Sequence, residues 1–320
     1  DPRPDRPAPW RARYRGPAGR QQSTSFDRTI AAERCLRAEL AKLDRGQRVA
    51  PDHGSNEWAD YSRQDIGDRP HLTARTIETA AGPASFDLGG GGIYNGAGAT
   101  LNLMDSTVSD NTSVNQPGGG IYGFFNTTIN ITRSTVSGNL SGDVAGGLRS
   151  LGNSTVVDST FSGNTSTVWH GGGIFHTDGQ LTVTHSTFSG NIAPAGTASG
   201  ILVATFGAPA NMTLTSSVME GNGGAFACAI EGGGAATITS GGWNVISDGS
   251  CNPIGSDQSF TDALLGPLAD NGGPTLTHAI SAGSPAEDAA DAGPCTATDQ
   301  RGVARPQGAG CDVGSFELEP

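Results

Sequence analysis

From residue 86 onward the apolar positions return with a long, fixed period and never with a helical one. Gly-Gly-Gly-Ile stands at 90–93, 118–121 and 171–174, with weaker copies ending at Leu148 and Ile201. The closing residues Ile93, Ile121, Leu148, Ile174 and Ile201 are spaced by 28, 27, 26 and 27 positions. A short alternating run follows each: Leu101/Leu103, Ile129/Ile131, Val156 alone in the third copy, Leu181/Val183 and Met212/Leu214. A hexapeptide then ends the repeat, Ser-Thr-Val-Ser-Asp-Asn at 106–111 and related forms closing on Asn139, Asn164, Asn191 and Asn222. Period-two alternation marks strands, and the Gly, Ser and Asn between them mark turns.

A repeat this short cannot bury an apolar face by itself and must stack on copies of itself. The pattern therefore predicts an all-β, right-handed parallel β-helix, a solenoid with coils of ~27 residues whose strands lie ~4.8 Å apart. A leucine-rich horseshoe would need a helix in every repeat, and a propeller about 40 or more residues per blade. Three inward columns are expected, one through Ile93–Ile201, one through Leu103–Leu214 and one through Val108, Val136, Phe161, Phe188 and Met219. Asn111, Asn139, Asn164, Asn191 and Asn222 should form an internal ladder, because a buried amide must find partners. The glycines before each Ile should take backbone angles closed to other residues.

The ends read differently. Residues 1–80 are an irregular or disordered leader: 1–25 are rich in Arg and Pro without apolar pattern, and 27–45 could form one helix that caps the first coil. The helix is assigned to 86–260, with 223–260 a degenerate sixth coil, and 261–320 to a C-terminal cap that closes the other end. Residues 81–320 hold four cations against 19 acids, a balance of −15. Such a body repels nucleic acid and anionic membrane surfaces. No run of 18 apolar residues exists, so no transmembrane helix is expected. Cys228, Cys251, Cys295 and Cys311 fall into two close pairs without metal-ligand spacing, which predicts Cys228–Cys251 and Cys295–Cys311 disulfides, an oxidising compartment and no metal. Cys35 has no assigned role. The chain opens with Asp1, not Met, and reads as a fragment or processed product.

The repeats resemble those of bacterial pectate-lyase-like and polymorphic outer-membrane-type β-helix proteins. The tail resembles the choice-of-anchor Q domain through Leu264-Leu265-Gly266-Pro267-Leu268-Ala269-Asp270-Asn271-Gly272-Gly273-Pro274-Thr275, Gly283-Ser284-Pro285-Ala286, Thr298-Asp299-Gln300-Arg301-Gly302, Arg305-Pro306 and Cys311-Asp312-Val313-Gly314-Ser315-Phe316-Glu317. Together they cover roughly residues 86–317. The resemblance implies a secreted or surface-displayed bacterial protein and no particular reaction. It departs from the group in two ways: no anchor signal follows the tail before Pro320, and Cys35-Leu36-Arg37-Ala38-Glu39 only faintly echoes an N-terminal element of many relatives.

Candidate chemistry is sparse. A lyase needs a base, often Arg or Lys, and calcium held by clustered acids, so calcium enters only with that reading. The coils offer Arg133 and Arg149. A hydrolase needs two carboxylates facing one another. Asp105, Arg133, Asp158, His185 and Ser216 align in an outward column, either part of a sugar-binding groove or a surface ion-pair ladder. Trp169, His170, His176 and Asp178 surround one Gly-Gly-Gly-Ile and are the best catalytic or sugar-binding cluster, or else a solvated turn. Tyr94, Tyr122 and Phe175 could stack sugars, or be ordinary outward strand residues. Three functions follow: a non-catalytic, monomeric rod for display, adhesion or binding of extracellular polysaccharide or a host or cell-surface component; a polysaccharide lyase or glycoside hydrolase; a purely structural stalk.

Overall fold

The computed structural model describes residues 10–15, 21–26, 77–79, 90–114, 116–194, 197–232, 235–290 and 295–320. Two compact units divide the chain at Arg69/Pro70. In the first, Trp10–Arg15 pairs antiparallel with Gln21–Phe26, so a hairpin stands within the segment read as unstructured. The alternation of Trp10, Ala12 and Tyr14 with Arg11, Arg13 and Arg15 is the period-two signal that the high Arg content obscured. The expected helix at 27–45 and Cys35 lie outside the described residues.

The second unit is an all-β parallel solenoid, and no helix occurs among its described residues. Coils one to five are named here from Ile93, Ile121, Leu148, Ile174 and Ile201. Ile93 pairs with Ile121, Ile121 with Leu148, Leu148 with Ile174 and Ile174 with Ile201. An earlier rung, Ile77–Thr79, pairs in register with Ile93–Asn95, so stacking begins before residue 86. Coils one, four and five add a separate second strand, as in Thr100–Met104 and Ala210–Thr215, whereas in coils two and three it is continuous with the first, as Ile121–Thr132 and Leu148–Val157; every coil adds a third, as in Thr107–Ser109 and Val218–Glu220. Leu103, Ile131, Val156, Val183 and Leu214 meet one rung apart. The third column does likewise, and Phe161 stacks on Phe188 with ring centroids 4.9 Å apart and planes 10° apart. These side chains form one continuous core.

The asparagines are bonded amide to amide. Nδ2 of Asn111, Asn139 and Asn164 each donates to Oδ1 of the next Asn at 2.9 Å, and Asn191 to Asn222 at 3.0 Å. Each Oδ1 also accepts the backbone N–H of the preceding Asn, and Nδ2 of Asn139 reaches back to the carbonyl of Val108. The first serine of the hexapeptide builds a second ladder. The hydroxyls of Ser134, Ser159, Ser186 and Ser217 accept the backbone N–H of the equivalent serine one coil earlier.

The glycine expectation holds for only one position of each triplet. Gly90, Gly118 and Gly171 have φ of 87°, 71° and 74°, and Ala145 takes φ 60° in coil three. The other two glycines have ordinary φ but no room: a Cβ on Gly92 would stand 2.7 Å from the carbonyl oxygen of Gly120. Both disulfides, Cys228–Cys251 and Cys295–Cys311, are formed.

Residues 261–320 do not simply cap the end. They run back along the flank formed by the third strands. Thr135 Oγ1 donates to the carbonyl of Leu276, Ser162 Oγ meets His278 Nε2 at 2.9 Å, and the N–H of Ser315 donates to Thr187 Oγ1. This side cover spans coils two to five and packs Ala263, Ile280, Val313 and Phe316 into a second core with Val218 and Val245 of the solenoid.

Replacing Asn164 by Ala strips Asn139 of its amide and backbone acceptor in a dry interior. Each orphaned donor costs about 1–3 kcal/mol. Urea unfolding should show Asn164→Ala losing about 2–5 kcal/mol, and Asn111→Ala, at the ladder's end, clearly less. Equal losses would contradict the ladder's cooperative role.

Candidate ligand-binding face

The outward residues of the first strands form one column. Tyr94 pairs with Tyr122, Tyr122 with Arg149, Arg149 with Phe175 and Phe175 with Leu202. The sequence reading named the first four; the stacking brings them together. Tyr94 and Tyr122 meet edge to face at 5.6 Å. Phe124 packs against both, at 6.3 and 5.9 Å. Phe125 continues the cluster at 4.5 Å from Phe124, and Phe206 at 6.0 Å from Phe125. Phe125 and Phe206 remain 37% and 68% exposed. Edge-to-face and tilted arrangements at these separations are favourable for aromatic quadrupoles.

Phe206 belongs to coil five and Phe125 to coil two, so a loop must bridge them. Asp178 holds that loop. Its Oδ1 accepts the backbone N–H groups of Phe206, Gly207 and Ala208 at 3.0, 2.9 and 2.9 Å. Burial alone would raise this carboxyl's pKa, but the three N–H donors and Arg149 outweigh it and hold it below its ordinary value. Asp178, a candidate acid or base in the sequence, is thus an anchor for the aromatic face.

Arg149 is buried between Tyr122 and Phe175 in this column. Its guanidinium carbon stands 4.2 Å over the Phe175 ring, and Nη1 donates to the carbonyls of Ser150 and Phe175 at 3.2 Å. Burial pulls its pKa down to about 10, which leaves it charged at neutral pH. Burial also raises Tyr122 and Asp143, with Arg149 opposing both.

The other candidates are dispersed. His176 points into the core with no exposure, its Nε2 3.2 Å from the carbonyl of Gly179. Burial lowers its pKa to about 4. A neutral, enclosed ring cannot meet a substrate, which removes it as a catalytic candidate. His170 pairs with Glu231, Nε2 to Oε2 at 3.1 Å, and Trp169 stands 55% exposed beside it. Among the described residues no hydrogen bond joins any two of His170, His176 and Asp178, and no group of His, Cys, Asp and Glu could hold a metal ion.

The column Asp105–Arg133–Asp158–His185–Ser216 is a corner, not a groove. All five residues have φ between 43° and 50°. Arg133 grips Asp105 with Nε and Nη2, both at 2.8 Å. From coil three onward the tail covers the corner. Asp158 accepts from Thr296 Oγ1 at 2.8 Å and faces Arg305 at 3.8 Å. Arg305 also meets His185, Glu317 and the carbonyls of Asp312 and Gly314. Gln300 bonds Thr160, Thr135 and Thr275 with a fully buried amide. Arg301 pairs with Asp299, hydrogen-bonds the carbonyl of Glu317 and stacks on Phe316. The tail motif residues are therefore the clasp that docks the tail on the solenoid.

A family model described as the right handed beta helix region matches residues 84–245, and the chain belongs to that family. No curated protein and no solved structure matches it.

Burial raises Asp158 from an ordinary 3.8 to about 6, against the pull of Arg305 and Thr296. A folded value above the unfolded one favours folding most below the unfolded value, and that contribution is lost as pH rises through about 6. Asp158→Asn removes this titration. Between about pH 4 and pH 7 the stability of the wild type should fall relative to the variant by on the order of 2–3 kcal/mol, measured by urea unfolding at each pH. Parallel curves would refute the assignment.

Proposed function

We propose that this protein is a secreted or cell-surface rod that binds an extracellular glycan or another surface component without transforming it. The carrying observation is the cluster of Tyr94, Tyr122, Phe124, Phe125 and Phe206 on the outside of the solenoid, beside Arg149. Sugar-binding sites combine apolar ring faces with a few polar groups that fix orientation. Two disulfides, and the absence among the described residues of a helix able to cross a membrane, are compatible with an extracellular location. The bacterial origin and the choice-of-anchor Q assignment of the tail rest on the sequence resemblance and belong to this reading.

The non-catalytic reading is supported by how the candidate groups are used. His176 is enclosed, Asp178 anchors a loop, Arg133 is held by Asp105 and Asp158 lies under the tail. A lyase or hydrolase would need a free base or paired carboxylates at the aromatic face.

A screen of extracellular polysaccharides by glycan array and calorimetry tests the proposal. Tyr122→Ala and Phe125→Ala should each weaken binding about tenfold or more, as central aromatic anchors do. Asp178→Ala should weaken it too by releasing Phe206. Uronate polysaccharides should yield no unsaturated products with or without calcium. Product formation, or binding unchanged by the ring substitutions, would overturn the reading.

A further inference from the structure

The outward face of the second strands carries a different surface. One row runs Asn102, Asn130, Thr155, Thr182, Thr213 and Thr239, in register from coil to coil. A parallel row two residues on runs Thr132, Val157, Thr184 and Thr215. Burial alternates strictly, with each Thr partly exposed and its neighbours enclosed, so both rows face solvent. Segments 100–104, 128–132, 153–157, 180–184, 211–215 and 236–240 contain no charged residue and no aromatic one, although residues 81–320 hold 19 acids. Among the described residues the hydroxyls of Thr155, Thr182, Thr184 and Thr215 take part in no hydrogen bond, and Thr213 Oγ1 only accepts from Gln180 at 3.4 Å.

Stacking turns these residues into a lattice. Rungs repeat at ~4.8 Å, and alternate residues along a strand at ~6.6 Å. The β-branched Thr side chain is stiff at χ1, so each hydroxyl and methyl repeats in nearly the same orientation. In a tetrahedral network of O–H···O bonds about 2.75 Å long, the oxygens of the prism face of hexagonal ice repeat at about 4.5 and about 7.3 Å, within roughly a tenth of these strand spacings. We infer that this face is an ice-binding surface, on which ranked Thr hydroxyls and methyls order water into the ice lattice. The absence of charge fits a neutral solid. The absence of aromatic rings sets the face apart from the glycan-binding cluster and disfavours a sugar. It also lacks the aromatic or Arg anchors of a protein interface.

The test uses the full chain, fluorescently labelled, and a slowly growing polycrystalline ice surface. The wild type should be enriched in the ice and should facet single ice crystals. Thr182→Tyr combined with Thr213→Tyr should lower the ice-bound fraction about tenfold, as loss of a central contact does. Val168→Ser, off this face, should leave it unchanged, and circular dichroism melts should show all variants folded. Exclusion of the wild type from ice overturns the inference. So does a folded double variant that partitions like the wild type, or retention on crystalline cellulose that depends on Thr182 and Thr213. None of these results bears on soluble glycan binding, which the aromatic variants read separately.

Discussion

The structure depends on one constraint: every coil must present to the next the same groups it received from the last. A parallel strand satisfies its backbone only through neighbours above and below. A polar side chain in the interior must do the same. Asparagine meets this condition because its amide accepts on one side and donates on the other, so identical residues bond in series. The ladder from Asn111 to Asn222 therefore sets register at the same time as it satisfies buried groups. The serine ladder does the same at the opposite corner of the third strand, and the apolar columns fill the space between.

Repetition has a consequence for the outside as well. A coil that fixes its inward residues also ranks its outward ones, so any residue type shared by successive coils becomes a row. The first strands rank Tyr94, Tyr122, Arg149 and Phe175; the second strands rank Asn and Thr; the third strands rank the Thr and Ser hydroxyls that receive the tail. Three faces of one solenoid thereby acquire different chemistry. The tail takes the third face through Gln300, Arg305 and Ser315.

How much of this could be read from sequence follows from where periodicity reaches. Ile121, Val156 and Phe188 were legible as core, and the asparagines as a ladder, because each position is sampled five times. The pairing of cysteines was legible from proximity in the chain. The role of the tail was not. Thr135 and Leu276 are 141 positions apart, and such a contact leaves no periodic trace. The tail's motif residues make the docking contacts, which only the folded chain brings together. Phe124, Phe125 and Phe206 carry no periodic signal because they lie in the stretch between Ile121 and Ile129, or Ile201 and Met212, where coils differ in length. The alignment of Asp105, Arg133 and Asp158 was real, yet alignment alone could not tell a groove from a left-handed corner that a tail covers.

The central claim is that equivalent amides meet one rung apart in a dry interior. Nuclear magnetic resonance of the Asn164 side-chain amide tests it most directly. The account predicts slow exchange with solvent and cross-relaxation to the amides of Asn139 and Asn191. Exchange at the rate of an exposed asparagine, without those cross-peaks, would contradict it.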